Sequence, residues 1–385
     1  MNIVHMCLAV PYVEGWGYQE NMIPKFHAAF GNNVYMITSE YEFNNEKKPV
    51  KRKSFKYSNK DGINVIALKR SKRYGYYSKF NDFERVYETL CELKPDIIFI
   101  HGGQFIALKD VIRYCKKNKN VKLYIDHHAD YYNTPIKRFR KRFVQRYIYG
   151  FWMRRTAKYA VKFLGTTPWR CEYLKDICKI PKEKVELLVM GGDDDKIHFD
   201  RAAEIRHDIR AGLGIGDDAF VLVTGGKIDR AKNIHLLMQA VAELNNDNIK
   251  LIVFGQPKDD MKEIVEKYSK DKNIFCIGWI EADKAYDYFL ASDLAVFPGT
   301  HSVLWEQACA CGIPGLFKDW EGMRHVDLGG NAEFLYEDSV DEIKEKISEI
   351  YNDKEKYARM KKVAEEKGIK TFSYREISKR AIELI

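Results

Sequence analysis

The sequence has 385 residues, a length that corresponds to about two domains, each large enough to bury a hydrophobic core. Hydrophobic residues make up 45% of the chain and charged residues 31%, which excludes both a disordered chain and a small disulfide-stapled protein. Residues 1–200 carry 37 basic and 22 acidic side chains, whereas residues 201–385 carry 27 and 33. The basic first half is therefore expected to meet an anionic partner such as lipid head groups, phosphates or nucleic acid.

The eight cysteines include no C-x-x-C pair, and the close pair Cys309 and Cys311 lies in an apolar run without a nearby histidine. We therefore expect reduced thiols in a cytosolic protein and no cysteine metal site. The first residues, MNIVHMCLAVPY, lack the basic start of a signal peptide and predict a strand. No window approaches 18 uncharged apolar residues, so no membrane span is expected.

Short apolar runs alternate with longer amphipathic stretches, a pattern typical of parallel sheets wrapped by helices. The predicted strands of the first half lie near 2–9, 34–38, 63–68, 97–101, 122–126, 162–166 and 185–190. Those of the second half lie at 219–225, 249–255, 273–279, 293–299 and 313–317. A Gly-Gly and acidic stretch predicts a linker at 191–210 between domains at 1–190 and 211–370, and helical spacing predicts a packing helix at 371–385.

Residues 135–158 form a strongly basic stretch with nine lysines and arginines, six aromatic residues and no acid. At helical spacing, one stripe carries arginines and the neighbouring stripe carries aromatic rings: Arg138, Arg142 and Arg146, then Phe139, Phe143, Tyr147 and Phe151. This pattern favours a helix at a lipid surface, with rings at the head-group boundary and guanidinium groups on phosphates. The alternatives are a helix with its aromatic residues in the core and a nucleic-acid surface.

The loop after the strand at 219–225 is a candidate diphosphate site. Gly225 and Gly226 end the strand, Lys227 and Lys232 follow, and a helix begins directly afterwards. Glycines permit close backbone approach, a helix start offers unpaired N–H groups, and lysines add positive charge. The spacing is neither that of a P-loop nor G-x-G-x-x-G, and a solvated loop with incidental lysines is the alternative.

The strand at 293–299 runs into a Gly-Thr-His-Ser loop and a helix around 303–311. The helix carries one carboxylate, Glu306, among apolar residues. Such a carboxylate is costly to bury unless it accepts hydrogen bonds, and a ligand diol would supply them. The alternative is a glutamate on the solvent-exposed face that contacts the helix N-terminus.

These two segments resemble the retaining, GT-B fold glycosyltransferases of family 4, also called group 1. The family pattern G-R-x-x-x-x-K matches at Gly226, Lys227 and Lys232, with Lys227 in the place of the arginine. The E-x7-E motif matches only at its second carboxylate, Glu306, because Pro298 stands eight positions earlier and the loop between them is short. The resemblance implies an α/β, GT-B chain with two Rossmann-like domains whose parallel sheets face each other across a cleft.

By this resemblance, Lys227 and Lys232 hold the diphosphate of a donor, and Glu306 binds the hydroxyls of its ribose. The strand at 273–279 matches the family strand whose backbone lies beside the base. The other donor-binding residues that the resemblance implies are Gly17, Gly226, Ile277, Gly278, His301, Ser302 and Val303.

In the first half, Asp126-His127-His128 resembles a D-x-H segment that follows a middle strand in many family members. The resemblance places His128 at the donor sugar or the reacting centre, with His127 as the alternative.

The segment 15–21, GWGYQEN, occupies the position of the family's glycine-rich acceptor loop. Its glycines permit a tight approach, and Trp16 and Tyr18 are expected to stack on an acceptor sugar. An ordinary surface turn is the alternative.

The resemblance implies an enzyme that moves a hexosyl or N-acetylhexosaminyl group from a nucleotide-diphosphate donor, by default a UDP-sugar, with retention of anomeric configuration. The expected acceptor is lipid-linked or a growing glycan at the cytosolic face of an anionic membrane, in polysaccharide or glycoconjugate synthesis. No cofactor, metal ion or nucleic acid is expected. The alternatives are a non-catalytic GT-B subunit that recruits a partner to membranes, a GT-B nucleotide-sugar epimerase and an inverting transferase.

Overall fold

The computed structural model describes residues 1–44, 48–71, 81–134 and 142–383. The chain divides into two units. Unit 1 consists of Met1–Met190 together with Ile377–Ile385, and unit 2 consists of Gly191–Glu376. Each unit has a hydrophobic core of its own, built around its own sheet.

The described strands of unit 1 form an eight-stranded sheet in the order β10-β9-β8-β7-β1-β2-β6-β5, with β3 and β4 as a separate antiparallel pair. All neighbours in the large sheet are parallel except β5 and β6. The strands are β1 Asn2–Cys7, β2 Asn33–Ser39, β3 Tyr41–Phe43, β4 Pro49–Lys51, β5 Lys56–Ser58, β6 Asn64–Leu68, β7 Ile97–His101, β8 Lys122–His127, β9 Ala160–Gly165 and β10 Val185–Leu187.

Helices flank this sheet and bury its central strands, as a parallel sheet requires. Every residue of β7 is buried. The helices in the described residues of unit 1 are α1 Gln19–Ala29, α2 Val86–Leu93, α3 Leu108–Lys117, α4 Gly150–Thr156 and α5 Pro168–Asp176. A π-helical turn, Val144–Tyr149, runs directly into α4.

The described strands of unit 2 form a six-stranded, fully parallel sheet in the order β13-β12-β11-β14-β15-β16. The strands are β11 Phe220–Gly225, β12 Ile249–Phe254, β13 Ile274–Gly278, β14 Leu294–Phe297, β15 Gly315–Lys318 and β16 Ala332–Leu335. The helices are α6 Ala202–Gly212, α7 Ile234–Leu244, α8 Lys262–Tyr268, α9 Ala285–Leu290, α10 Leu304–Ala310, α11 Val340–Asn352, α12 Lys354–Val363, α13 Ile369–Thr371 and α14 Tyr374–Glu383, whose residues from Ile377 onward count with unit 1.

The segment predicted as a linker, 191–210, folds as part of unit 2. Its Asp194 is hydrogen-bonded within that unit, accepting from Ser373 Oγ at 2.5 Å and from the backbone N–H of Arg375 at 2.9 Å. Helix α6 begins at Ala202 and buries Arg210, which pairs with Asp293 at 2.7 Å. The stretch is ordered because its charges find partners far along the chain, which the local composition does not indicate.

The twelve predicted strands all fall on observed strands, whereas β3, β4, β5 and β16 were not predicted. The missed strands are only three or four residues long. Such short runs carry too few residues for a periodic pattern to stand out. The predicted C-terminal helix is present as α14, with Tyr374, Ile377 and Ala381 buried.

Within the described residues, no helix is both long and apolar enough to cross a bilayer. All eight cysteines are unpaired thiols.

Candidate active site

Strands β11 and β14 are parallel neighbours in unit 2, so the loops that follow them leave the same edge of the sheet. We call residues 226–233, after β11, the lysine loop, and residues 298–303, after β14, the histidine loop. The backbone N–H of Thr300 donates to the carbonyl of Ala231 at 2.9 Å, so the two loops are joined directly.

The contact between these loops is close because Gly299 has no side chain. A Cβ atom at Gly299 would lie 2.3 Å from the carbonyl carbon of Lys232 and 2.4 Å from the carbonyl oxygen of Ala231. Asn233, in the left-handed region at φ 54°, donates from its side chain to the carbonyl of Pro298 at 3.2 Å. The two loops therefore form one structural feature, which we call the loop pair.

Lys232 lies inside this loop pair. Its ammonium group donates to the backbone carbonyls of Thr300 at 2.6 Å and His301 at 2.8 Å. Burial lowers the pKa of Lys232 to about 8. The side chain thus places a positive charge, held by two carbonyl dipoles, where the two loops meet.

Lys227 has a different environment. It is exposed and forms no hydrogen bond or ion pair with any residue in the described part of the chain. The two lysines that the sequence singled out are therefore not equivalent, because one is fixed between loops and the other extends freely.

The glycines at the end of β11 are required by packing inside unit 2. A Cβ at Gly225 would lie 2.2 Å from the ring of Phe254, and Gly226 adopts φ 103° and donates to the carbonyl of Phe254 at 3.0 Å. Gly255 lies even closer to the backbone of Gly226, since a Cβ at Gly255 would lie 1.8 Å from the carbonyl oxygen of Gly226. These glycines were expected to let a ligand approach the backbone, whereas in the structure they let the end of β12 approach it.

Glu306 is completely buried at the first turn of α10. His301 donates to its carboxylate at 2.9 Å and His325 at 2.9 Å, both from Nε2. Burial raises the pKa of the carboxyl group, but the two imidazoles outweigh burial and hold it at about 2. The hydrogen bonds that a ligand diol was expected to supply come from within the chain, and the alternative of an exposed glutamate is wrong.

The ligand atoms of His301, Glu306 and His325 lie within 4.8 Å of one another, so these residues have the composition of a divalent-cation site. In the structure they form a hydrogen-bonded histidine–glutamate–histidine cluster, in which Nδ1 of His325 is buried without a partner. Sequence reasoning missed His325, because it follows Glu306 by 19 residues in no recognisable motif.

The other predicted donor-binding residues of unit 2 lie at the edge of the sheet or in the loop pair. Gly278 is exposed at the end of β13 in the left-handed region, with open space where a Cβ would point, and Ile277 before it is half-buried. Ser302 and Val303 are also half-buried. Trp279, which the sequence analysis did not select, is 70% exposed directly after Gly278.

In unit 1, β8 ends in Asp126 and His127, and His128 follows. His127 is fully buried and its ring stacks on Tyr173 with centroids 5.6 Å apart, whereas His128 is half-buried. Nε2 of His128 lies 3.2 Å from Oδ1 of Asp126. Burial lowers the pKa of His128, but Asp126 outweighs burial, so the pKa is raised above its ordinary value. Of the two histidines, His128 is the one accessible to a ligand.

The predicted acceptor loop of unit 1 leads from β1 to α1. Trp16 and Tyr18 are about two-fifths exposed, and their rings meet edge to face at 5.8 Å. Gly15 is left-handed at φ 81°, and Gly17 is half-buried between the aromatic residues. The loop presents two exposed rings, which suits the predicted stacking on a sugar.

The basic and aromatic segment is described from Arg142 onward, so the predicted residues Arg138 and Phe139 lie outside the described residues. Phe143, Tyr147 and Phe151 are between 39% and 56% exposed and lie at a four-residue spacing on the helix. We call these three side chains the aromatic face. A core position for these rings was the alternative, and it is wrong for all three.

Basic side chains accompany the aromatic face. Arg155 lies over the ring of Phe151 at 4.6 Å, and Arg146 lies over that of Tyr147 at 5.8 Å. Arg142 is exposed and Arg146 is half-buried. The described part of the helix therefore presents rings and guanidinium groups together.

Residues 205–367, which lie inside unit 2 and include the loop pair, match the family of glycosyl transferases group 1. Unit 2 is a group 1 glycosyltransferase domain. Across the whole chain the fold is GT-B, as predicted: the structure of the Anabaena HepE protein in complex with UDP superposes with a TM-score of 0.69, 15% identity and coverage of 100% of this chain and 99% of that one.

Two curated relatives match shorter stretches. A lipopolysaccharide 1,2-N-acetylglucosaminetransferase of Salmonella typhimurium is 29% identical over 139 residues, which are 33% of this chain and 35% of that protein. An uncharacterized glycosyltransferase of Methanocaldococcus jannaschii is 20% identical over 189 residues, 46% of this chain and 48% of that protein. The chain thus spans about half or less of the length of these curated relatives.

Proposed function

We propose that this protein is a retaining glycosyltransferase that moves a hexosyl or N-acetylhexosaminyl group from a nucleotide-diphosphate donor, by default a UDP-sugar, to a lipid-linked or growing glycan. The observation that carries the proposal is the loop pair of unit 2. It holds the ammonium group of Lys232 between two loops at the carboxyl end of a parallel sheet, with the free Lys227 on the same loop. This is the edge of the sheet at which α/β proteins bind their ligands.

The charge of the loop pair suits the chemistry of sugar transfer. As the bond from the anomeric carbon to the donor phosphate breaks, negative charge accumulates on the diphosphate and the sugar becomes oxocarbenium-like. Lys232 is held in place before the reaction, so it stabilises this charge without reorganisation, and Lys227 is free to move onto the phosphates. In this mechanism a departing phosphate oxygen takes the proton of the acceptor hydroxyl, and His128 orients the donor sugar.

The relatives support the classes of donor and acceptor. HepE was solved with UDP, and the Salmonella relative is named for transfer of N-acetylglucosamine to lipopolysaccharide. The aromatic face and its arginines in unit 1 support a peripheral position on an anionic membrane, which we place at the cytoplasmic face of the cell membrane.

The donor is identified by thermal denaturation of the full chain with UDP, ADP, GDP and a panel of UDP-sugars. A ligand that binds the folded state at 100 times its Kd adds about 2.7 kcal/mol of stability, which raises the melting temperature. We expect the uridine series to produce the shift. A shift with another base would correct the donor, and no shift with any nucleotide would contradict the proposal.

Transfer is then measured on glycan and lipid-linked acceptors, with the anomeric configuration of the product read by NMR. We expect Lys232→Ala to lower kcat about 100-fold or more, since it removes a charge that is positioned for the transition state. Lys270→Ala, which removes an exposed lysine paired with Glu266 in the same unit, is the matched control and is expected to leave kcat unchanged. Donor binding without transfer to any acceptor would favour a non-catalytic subunit, and an inverted product would contradict retention.

We further propose that transfer requires no metal ion, so that EDTA leaves the rate unchanged. Loss of activity with EDTA, restored by a divalent cation, would instead assign a metal to His301, Glu306 and His325.

A further inference from the structure

A line of buried histidines crosses unit 1. Nδ1 of His101 lies 2.8 Å from Oδ2 of Asp126, and Nε2 of the same ring lies 3.0 Å from Nδ1 of His5. Nε2 of His5 lies 3.0 Å from Nδ1 of His27, and Nε2 of His27 lies 2.8 Å from the backbone carbonyl of Ser378 in α14. Four hydrogen bonds thus connect a carboxylate at the end of β8 with the C-terminal helix.

The two ends of this line are both acceptors, which fixes the number of protons in it. An ionised carboxylate and a backbone carbonyl carry no proton to donate, and a neutral imidazole carries one. Four hydrogen bonds need four protons, but three neutral imidazoles supply only three. All members of the line are almost completely buried, so water does not replace a missing hydrogen bond.

We propose that Asp126, His101, His5 and His27 hold one proton beyond those of an ionised carboxylate and three neutral imidazoles, and that they act as positioning residues for His128. The extra proton makes His101 an imidazolium that donates to Asp126 on one side and to His5 on the other. His5 and His27 are then neutral, each with its proton on Nε2, and every hydrogen bond in the line is satisfied.

The surroundings of Asp126 favour placing the extra proton on His101 rather than on the carboxyl group of Asp126. Oδ1 of Asp126 accepts the backbone N–H of Gly102 at 3.0 Å and lies 3.2 Å from Nε2 of His128, so donors surround the carboxylate. Burial raises the pKa of Asp126, but His128 and His101 outweigh burial and hold it well below its ordinary range. Burial and the neighbouring imidazole charges lower the pKa of His5, and burial lowers that of His27 to about 4.

The line acts on His128 through the two oxygens of Asp126. One oxygen is bound by the His101 imidazolium, and the other is left to face His128. The other charged side chains that act on His128 are Arg170, which lowers its pKa, and Glu20, which raises it. The significance of His128 for transfer rests on the proposed function, whereas the proton count does not.

Two substitutions at one position separate this inference from a merely structural role. Glutamine at position 27 accepts from His5 through its oxygen and donates to Ser378 through its nitrogen, so His27→Gln preserves the need for the extra proton. His27→Leu removes both hydrogen bonds. The remaining two are then satisfied by the single protons of neutral His5 and His101.

The measurement is nitrogen NMR of the full chain with ¹⁵N-labelled histidine at about pH 8, well above the ordinary histidine pKa of about 6.5. We expect one buried histidine with both ring nitrogens protonated in the natural protein and in His27→Gln, and loss of that signal in His27→Leu. If His27→Leu does not fold, Asp126→Asn serves instead, because removing the carboxylate removes the charge that stabilises the imidazolium. In transfer assays, His27→Leu is expected to lower kcat relative to His27→Gln with KM unchanged.

Absence of a doubly protonated histidine from the natural protein would overturn the inference. A doubly protonated histidine that persists in His27→Leu or in Asp126→Asn would also overturn the inference. The signal would then belong to another pair, such as His301 and Glu306. A natural protein that shows the imidazolium but transfers no sugar would refute the proposed function and leave the proton count intact.

Discussion

Lys232 and Lys227 lie five positions apart, yet their side chains differ in hydrogen bonding and in exposure. The ammonium group of Lys232 is held by the carbonyls of Thr300 and His301, and burial lowers its pKa to about 8. Lys227 is exposed. At neutral pH the ammonium group of Lys232 is expected to carry its charge, and because its pKa is about 8 it loses that charge in an accessible pH range.

This difference predicts the pH dependence of donor binding. In the natural protein we expect affinity for the nucleotide diphosphate to fall as the pH rises through about 8, because Lys232 releases its proton there. Lys232→Arg is expected to remove this fall, since a guanidinium stays protonated. Isothermal titration with UDP between about pH 7 and 9 measures the effect, and an equal decline in both proteins would contradict it.

The ammonium group of Lys232 also makes the free energy of unfolding depend on pH. The pKa of Lys232 is lower in the folded chain than its ordinary value of 10.5, so the unfolded chain binds more protons between about pH 8 and 10.5. The contribution of Lys232 to the free energy of unfolding therefore rises with pH across that window.

At the scale of elements, the loop pair depends on the absence of a side chain at Gly299. We expect Gly299→Ala to destabilise the protein by about 1–3 kcal/mol, because the new methyl group meets backbone rather than a flexible side chain. The variant should also lose donor affinity, since the loops that hold Lys232 must separate. Urea unfolding and UDP titration measure the two effects.

Gly216 provides the matched control for Gly299, because a Cβ there meets no heavy atom within 4 Å. Gly216→Ala is expected to change the free energy of unfolding by no more than about 0.5 kcal/mol and to leave UDP affinity unchanged. Equal behaviour of the two alanine variants would show that the loop pair tolerates separation.

We expect the helix that carries the aromatic face to bind anionic lipid. We expect the natural protein to float with vesicles that contain anionic lipid and less with neutral ones, because arginines and exposed rings act together. The triple variant Phe143→Ser, Tyr147→Ser, Phe151→Ser should lose most of this binding. The control is Tyr336→Ser, which removes an exposed ring in unit 2. Equal recovery with neutral and anionic vesicles would remove the electrostatic argument.

At the scale of the whole molecule, unit 1 is assembled from both ends of the chain. Its sheet contains β1, which begins at Asn2, and residues of α14 complete it. His27 bonds to the carbonyl of Ser378, and Tyr124 donates to that of Ile382 at 3.3 Å. Unit 1 is therefore complete only when the last helix is present, although the sequence indicated a domain that ends at residue 190.

Basic and acidic residues are also unevenly distributed between the two units. The excess of basic residues lies in the first 200 positions, which include nearly all of unit 1, whereas the remainder is net acidic. Under the proposed function, the basic unit 1 with its aromatic face would contact the membrane. The acidic unit 2 would bind the donor through its loop pair.

The sequence alone predicted the fold class, the positions of twelve strands and the resemblance of unit 2 to a glycosyltransferase family. Strands such as β7 and β11 are continuous apolar runs, and a run of this kind is a local property that folding does not change. The lysine loop was found for the same reason, because its glycines and lysines are close together in the chain.

Only the tertiary structure decided what surrounds each candidate residue. The partners of Glu306 include His325, 19 positions away, and those of His101 include His5, 96 positions away. No local pattern records such pairs, since they arise when folding brings distant strands and loops next to each other, as β1 with His5 lies beside β7 with His101. Burial and hydrogen bonding then set which lysine is held between loops, which histidine is accessible and where protons reside, because these properties depend on neighbours in space.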